Sequence, residues 1–168
     1  MSTLRVNTIQ EADGTAFPFP EVTLAQSWML DSGFSGNANP IQGWSKYTAA
    51  NTSALGSDMS ESNGIWTFPS TGFYWIQTQG YHYGSGGNSS TTIYPEFSID
   101  GGSNFSQSER SYTNVADSSG TWYNTSINAH FFDVTNTSTH KCKIRTDGNN
   151  QTINGGGTFV RFIRLGNT

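Results

Sequence analysis

Apolar and polar positions alternate in short runs along this chain. No segment keeps apolar residues at three- and four-residue spacing through three helical turns. The runs are separated by clusters of Gly, Asn, Asp and Ser at residues 32–39, 56–64, 84–90, 100–104, 116–120, 147–150 and 154–157. About eight strands lie between these breaks, the number expected of an all-β, two-sheet sandwich or jelly roll.

The two faces of each run differ in a telling way. A strand covered on one side alternates apolar and polar residues, whereas a strand covered on both sides does not. In residues 141–145, Cys142 and Ile144 point one way and Lys141, Lys143 and Arg145 the other. That pattern predicts a half-exposed strand with a solvated basic face. Three other segments carry large apolar groups on both faces. In residues 73–83, Phe73, Trp75, Tyr81 and Tyr83 oppose Tyr74 and Ile76. In residues 122–132, Tyr123, Ile127, Ala129 and Phe131 oppose Trp122, His130 and Phe132. Near the C-terminus, Phe159, Ile163 and Leu165 oppose Val160 and Phe162. Packing two sheets together covers only one face of each. The remaining apolar face therefore predicts contact with another copy of the chain.

The first 22 residues read as a separate unit. Leu4, Val6, Thr8 and Gln10 alternate with Arg5, Asn7 and Ile9, and Phe17-Pro18-Phe19-Pro20 forms a rigid extended stretch. Apolar groups at Leu4, Val6, Ile9, Phe17 and Phe19 are costly to leave in water. We therefore expect residues 1–22 to form an extended docking arm and residues 23–168 the folded domain.

Composition narrows the class. Only 33% of residues are hydrophobic and 12% charged, but disordered chains are also poor in aromatics, and here aromatics reach 14%. The net charge of -4 argues against a nucleic-acid footprint. No apolar stretch approaches the roughly 20 residues that span a bilayer. The first residues lack the charged start and apolar core of a secretory signal, so synthesis in a cytoplasm and a soluble chain are expected. Cys142 is the sole cysteine, which rules out an internal disulfide.

Little in the chain points to catalysis. His82, His130 and His140 do not pair with each other or with Cys142 at metal-ligand spacing. No framed nucleophile motif is present, and the few acids lie mostly in turn-like segments rather than as a pair suited to glycan cleavage. Asp100-Gly101-Gly102 and Asp147-Gly148-Asn149 read as hairpin turns rather than calcium loops. No catalytic residue, metal or cofactor is expected. Tyr81, Tyr83, Trp122 and Tyr123, flanked by polar residues, form the one candidate glycan-binding surface, because sugar faces stack on aromatic rings. The competing reading places the same rings in the core and between copies.

Two segments carry a family resemblance. Gly64-Ile65-Trp66-Thr67-Phe68-Pro69-Ser70-Thr71-Gly72-Phe73-Tyr74 resembles the run leading into the long inner strand of complement-q-like and tumour-necrosis-factor-like domains. Residues 158–165, with Phe159 and Phe162 three apart, resemble that family's closing strand. The resemblance implies a jelly roll that assembles as a homotrimer, its inner sheets facing the threefold axis. It further implies core and interface roles for Tyr74, Ile76, Phe131, Phe132, Phe159 and Phe162, while leaving open which parity faces the axis. The leader Ser2-Thr3-Leu4-Arg5-Val6-Asn7-Thr8-Ile9-Gln10 is similar to those of tailed-phage virion proteins that carry β-rich fibre, knob or decoration modules. Together these features lead us to expect a non-enzymatic bacteriophage structural protein, made in the host bacterial cytoplasm and displayed on the virion. It would be a trimeric knob, as a head decoration or short fibre, whose arm binds neighbouring virion proteins of the capsid or tail. The alternative is a receptor-binding tail-fibre tip that recognises a host surface glycan.

Overall fold

The computed structural model describes residues 22–48, 54–87, 89–115 and 119–168. Among them run β1 (Leu24–Leu30), β2 (Phe34–Ser35), β3 (Trp44–Lys46), β4 (Ser60–Ser62), β5 (Ile65–Thr67), β6 (Gly72–Ser85) and β7 (Ser89–Ser98). After these come β8 (Ser106–Gln107), β9 (Thr113–Val115), β10 (Thr121–Val134), β11 (Lys141–Gly148), β12 (Thr152–Ile153) and β13 (Phe159–Gly166). Most predicted breaks fall between strands, but those at 32–39 and 56–64 contain β2 and β4, and 116–118 lies outside the described residues. The count exceeds the expected eight because several pieces are two or three residues long, too short for an alternation to register.

The strands form two antiparallel sheets. The first has the order β3-β1-β13-β6-β10, with β12 and β2 continuing beside the far half of β6. The second has the order β4-β5-β11-β7, with β8 and β9 sharing the outer edge of β7. The chain crosses between sheets after β3, β5, β6, β9, β10 and β11, the connectivity of a jelly roll. The three segments with apolar groups on both faces became β6, β13 and β10, and they are neighbours in the first sheet.

Local chemistry explains the tight corners. Asn63 and Gly64 join β4 to β5 with φ of 52° and 81°. Both central residues thus take the positive φ of a two-residue hairpin turn, which Asn-Gly adopts most readily. Pro95 lies inside β7, where a missing N–H would normally break a ladder. Its carbonyl accepts from Ser108 Oγ at 2.5 Å, so its backbone polar edge faces away from β11. The gap between β8 and β9 falls there, and no ladder bond is lost.

Aromatic rings fill the space between the sheets. Trp66 meets Trp44 at 5.4 Å and Phe162 at 5.6 Å between ring centres, and Phe68 meets Tyr74 at 4.7 Å. The Tyr74 hydroxyl donates to the Ser70 carbonyl at 2.9 Å, which satisfies the one polar atom of that ring.

The second sheet departs from its expected solvated face. Cys142 and Ile144 point into the core as predicted. Lys143 and Arg145, however, converge on Glu96 at 3.0 and 3.3 Å, and the Glu96 side chain is only 4% exposed. The Phe105 ring lies 4.3 Å from Lys143 Nζ, and Arg110 donates to the Tyr94 hydroxyl at 2.8 Å. Residues 105–112 therefore lie over this face, an arrangement that alternation within a single strand could not reveal.

Candidate self-association surface

The first sheet has one face on the core and one on solvent. Even-numbered positions of β6, β10 and β13 point inward, and the odd-numbered ones point out. On the outward face Phe131 is 71% exposed, Tyr123 64%, Ile127 50% and Phe73 43%. Half-buried Trp75, Phe159, Ile163 and Met29 lie among them. At about 25 cal/mol per Å² of apolar area, exposed side chains of this kind are an incentive to associate. Arg161 crosses the face, its guanidinium 3.9 Å from the Phe159 ring centre and donating to Gln77 Oε1 at 2.9 Å.

This parity divides the residues expected at an interface. Phe131 and Phe159 lie on the outward face. Tyr74, Ile76 and Phe162 do not: each is fully buried between the two sheets of a single chain, so the expectation of a direct role between copies is corrected for these three. Phe132 also turns inward, stacking on Phe97 at 4.4 Å and packing against the core. The arm residues Leu4, Val6, Ile9, Phe17 and Phe19 lie outside the described residues.

Of the four rings named as a possible glycan-binding surface, Trp122 belongs to the core, in keeping with the competing reading. Trp122 is 5% exposed and presses against Gly84, where an added Cβ would come within 2.5 Å of the indole. Its ring is therefore unavailable to a sugar. Tyr81, Tyr83 and Tyr123 do come together on the outward face. Tyr123 lies 6.1 Å from Tyr81 and 6.2 Å from Tyr83 in near-parallel stacking. Strand register produces this grouping, since Tyr123 pairs directly with Tyr83 and sits diagonally from Tyr81.

Sequence reasoning missed one buried polar chain. His82 Nδ1 lies 3.0 Å from Gln151 Oε1, and Nε2 lies 2.7 Å from Ser126 Oγ. Gln151 Nε2 donates to Asn37 Oδ1 at 2.7 Å, which turns Oε1 towards the imidazole. Nδ1 therefore carries the ring proton, and Nε2 accepts from the Ser126 hydroxyl. Burial lowers the His82 pKa to about 4, only partly opposed by the Gln151 hydrogen bond. Because Ser126 and His82 are both buried, this relay ties β6, β10 and the β11–β12 turn together and presents no nucleophile to solvent.

The remaining titratable groups have structural surroundings. Burial pushes the Cys142 thiol far above its usual range, with the Glu96 carboxylate adding to the effect. Burial also lowers the His130 pKa, against the opposing influence of Glu109. Asp100 is held down to about 2, chiefly by the Asn104 backbone N–H and then by Ser98 and the Asn104 side chain. These bonds close the turn between β7 and β8, as the hairpin reading expects. Among the described residues, no three His, Cys, Asp or Glu side chains converge as a metal site.

Solved structures share this architecture. Murine APRIL at pH 5.0 superposes with a TM-score of 0.58 at 14% identity, covering 84% of this chain and 98% of that one. Murine APRIL at pH 8.5 gives a TM-score of 0.59 at 13% identity over the same shares. Eiger TNF from S. frugiperda gives 0.64 at 11% identity, over 88% of this chain and 96% of that one. No protein-family model matches the chain, and no curated protein matches it in sequence. Two antiparallel sheets, their crossovers and these neighbours agree: the fold is a tumour-necrosis-factor-like jelly roll.

Proposed function

We propose that this protein is a non-enzymatic structural module whose copies associate through the outward face of the first sheet into a homotrimer. One observation carries the reading: a chain with only 33% hydrophobic residues places Phe73, Tyr123, Ile127 and Phe131 together on an outward sheet face. Large apolar groups exposed along one sheet face, while Trp44 and Trp66 fill the core, mark an association surface. The jelly-roll fold and the family resemblance in residues 64–74 and 158–165 support a rotational assembly that buries this face. Sedimentation equilibrium should return three times the 18.3 kDa protomer mass. A monomer at every concentration would overturn the reading.

The phage-like leader extends the proposal. The trimer is a knob on a virion surface, as a head decoration or short fibre, and three arms of residues 1–22 engage neighbouring virion proteins. Multiple arms raise avidity without a tight single contact. Deleting residues 1–22 is expected to leave the trimer intact and abolish incorporation into particles. Retained incorporation would exclude the arm as the attachment.

A second reading rests on the Tyr81–Tyr123–Tyr83 stack, which offers aromatic faces to a host glycan. It competes for the same face as self-association. Glycan-array binding lost in Tyr123→Ala, with the trimer preserved, would favour it.

A further inference from the structure

Two clefts flank the first sheet, one over β1 and β13 and one at the β10 edge, and each holds a charged side chain without an ion-pair partner among the described residues. The first, of about 230 Å³, lies over β1 and β13, where Met29, Tyr47, Phe159 and Arg161 form its walls. The second, of about 300 Å³, runs along the outer edge of β10 and includes Glu109, Arg110, Ile127 and Ala129, with Arg110 already paired to Asp147 at 3.2 Å. Arg161 reaches no carboxylate among the described residues; its contacts are the Phe159 ring and Gln77. Glu109 is exposed and meets no Lys or Arg among them, only His130. Each cleft thus carries one charge with no ion-pair partner among the described residues.

Strand register places both clefts at the same level. Phe159 pairs with Gln79, which pairs across β6 with Ile127. Arg161 pairs with Gln77, which pairs with Ala129. A copy turned about an axis running along the strands keeps this level. Its β10 edge then meets the first copy's β13 side at matching height. The two patches are different surfaces, so the contact is heterologous, and repetition closes a ring. β10 is also an edge strand, pairing through its backbone with β6 alone among the described strands.

We infer that Ile127 of one copy enters the cleft lined by Met29, Tyr47 and Phe159 of the next, with Glu109 pairing with Arg161 across the same contact. The partner is a second copy of this chain, and the inference rests on the self-association proposed above. Ile127 supplies apolar burial, while the charge pair fixes register and excludes the reversed orientation.

The test is a charge-reversal cycle read by sedimentation equilibrium, comparing the native chain with Glu109→Arg, Arg161→Glu and the double reversal. Each single reversal should raise the dissociation constant about tenfold or more, and the double should return to within about threefold of native. Both side chains are exposed, so the monomer fold should survive, and circular dichroism checks this. A native trimer whose double reversal stays as weak as the singles would overturn the pairing and leave self-association standing. A native chain that never associates would overturn both. An independent arm pairs Ile127→Cys with Tyr47→Cys under mild oxidation. Covalent ladders up to trimer support the contact, and their absence in a native-like trimer counts against it.

Discussion

Gly80 and His82 sit on the inward face of β6, one pleat apart, and the imidazole occupies space that a side chain at position 80 would need. An added Cβ there would lie 2.6 Å from His82 Nε2. With its pKa lowered to about 4, His82 is neutral in the folded chain at pH 7. The unfolded chain takes up the proton near the ordinary value of 6.5, and the folded chain resists it until about 4. Stability contributed by the neutral form is thus complete above pH 6.5 and falls as pH drops towards 4, by about 3 kcal/mol in all. Urea unfolding of the native chain and of His82→Gln at pH 7 and pH 4.5 checks this. The native chain should lose distinctly more stability between the two. Equal losses would show that His82 does not carry the pH dependence. In the aromatic core, Phe68→Ala removes a ring that meets Tyr74, Phe132 and Phe162. It should cost about 3–5 kcal/mol in the same assay, because the surrounding rings cannot collapse fully into the cavity.

Strands and their coverings set a second group of properties. β7 and β11 hold Glu96 between Lys143 and Arg145 beneath residues 105–112. Removing the carboxylate charge by Glu96→Gln would leave two cations facing each other with reduced access to water. A loss of about 2 kcal/mol is expected, smaller than for a fully buried pair because Lys143 and Arg145 keep some solvent contact. Salt should narrow the gap between native and variant, since screening weakens the cation repulsion. A variant as stable as native at low salt would mean that packing, not charge, holds this segment. β10 offers a contrasting case. Phe131→Ser touches the outward face alone, so it should weaken self-association while leaving the monomer's unfolding unchanged. Gel filtration across a dilution series, with unfolding measured in parallel, separates the two effects.

At the scale of the whole molecule, the described residues lie over part of one sheet's outer side and leave the outer side of the other open. Phe105 over Lys143 and the Arg110–Asp147 ion pair lie against the second sheet, whereas the first presents Phe131, Tyr123 and Ile127. If association buries that face, folding and assembly are linked by mass action. The midpoint of thermal unfolding should then rise with protein concentration in the native chain. It should become independent of concentration in Phe131→Ser. A concentration-independent native midpoint would show that the open face does not contribute to stability through another copy.

The fold was legible in the sequence because strand alternation has a strict period of two. The turns at Asn63-Gly64 and Asp100-Gly101 mark corners by their own backbone preferences, and β6, β10 and β13 stand out by carrying apolar groups at both parities. Those signals are local, and tertiary contacts did not override them. Which parity faces inward was not local. Tyr74 and Phe73, or Phe132 and Phe131, are chemically equivalent neighbours, and only the packing of the second sheet selects one of each pair for the core. For the same reason Trp122 proved buried while Tyr123 beside it is exposed. The polar contacts were further out of reach. His82 with Ser126 and Gln151, and Glu96 with Lys143 and Arg145, join residues tens of positions apart. Sequence by itself determined an all-β chain with one sheet apolar on both sides. Tertiary structure decided which side was left open, because burial depends on what lies across the core.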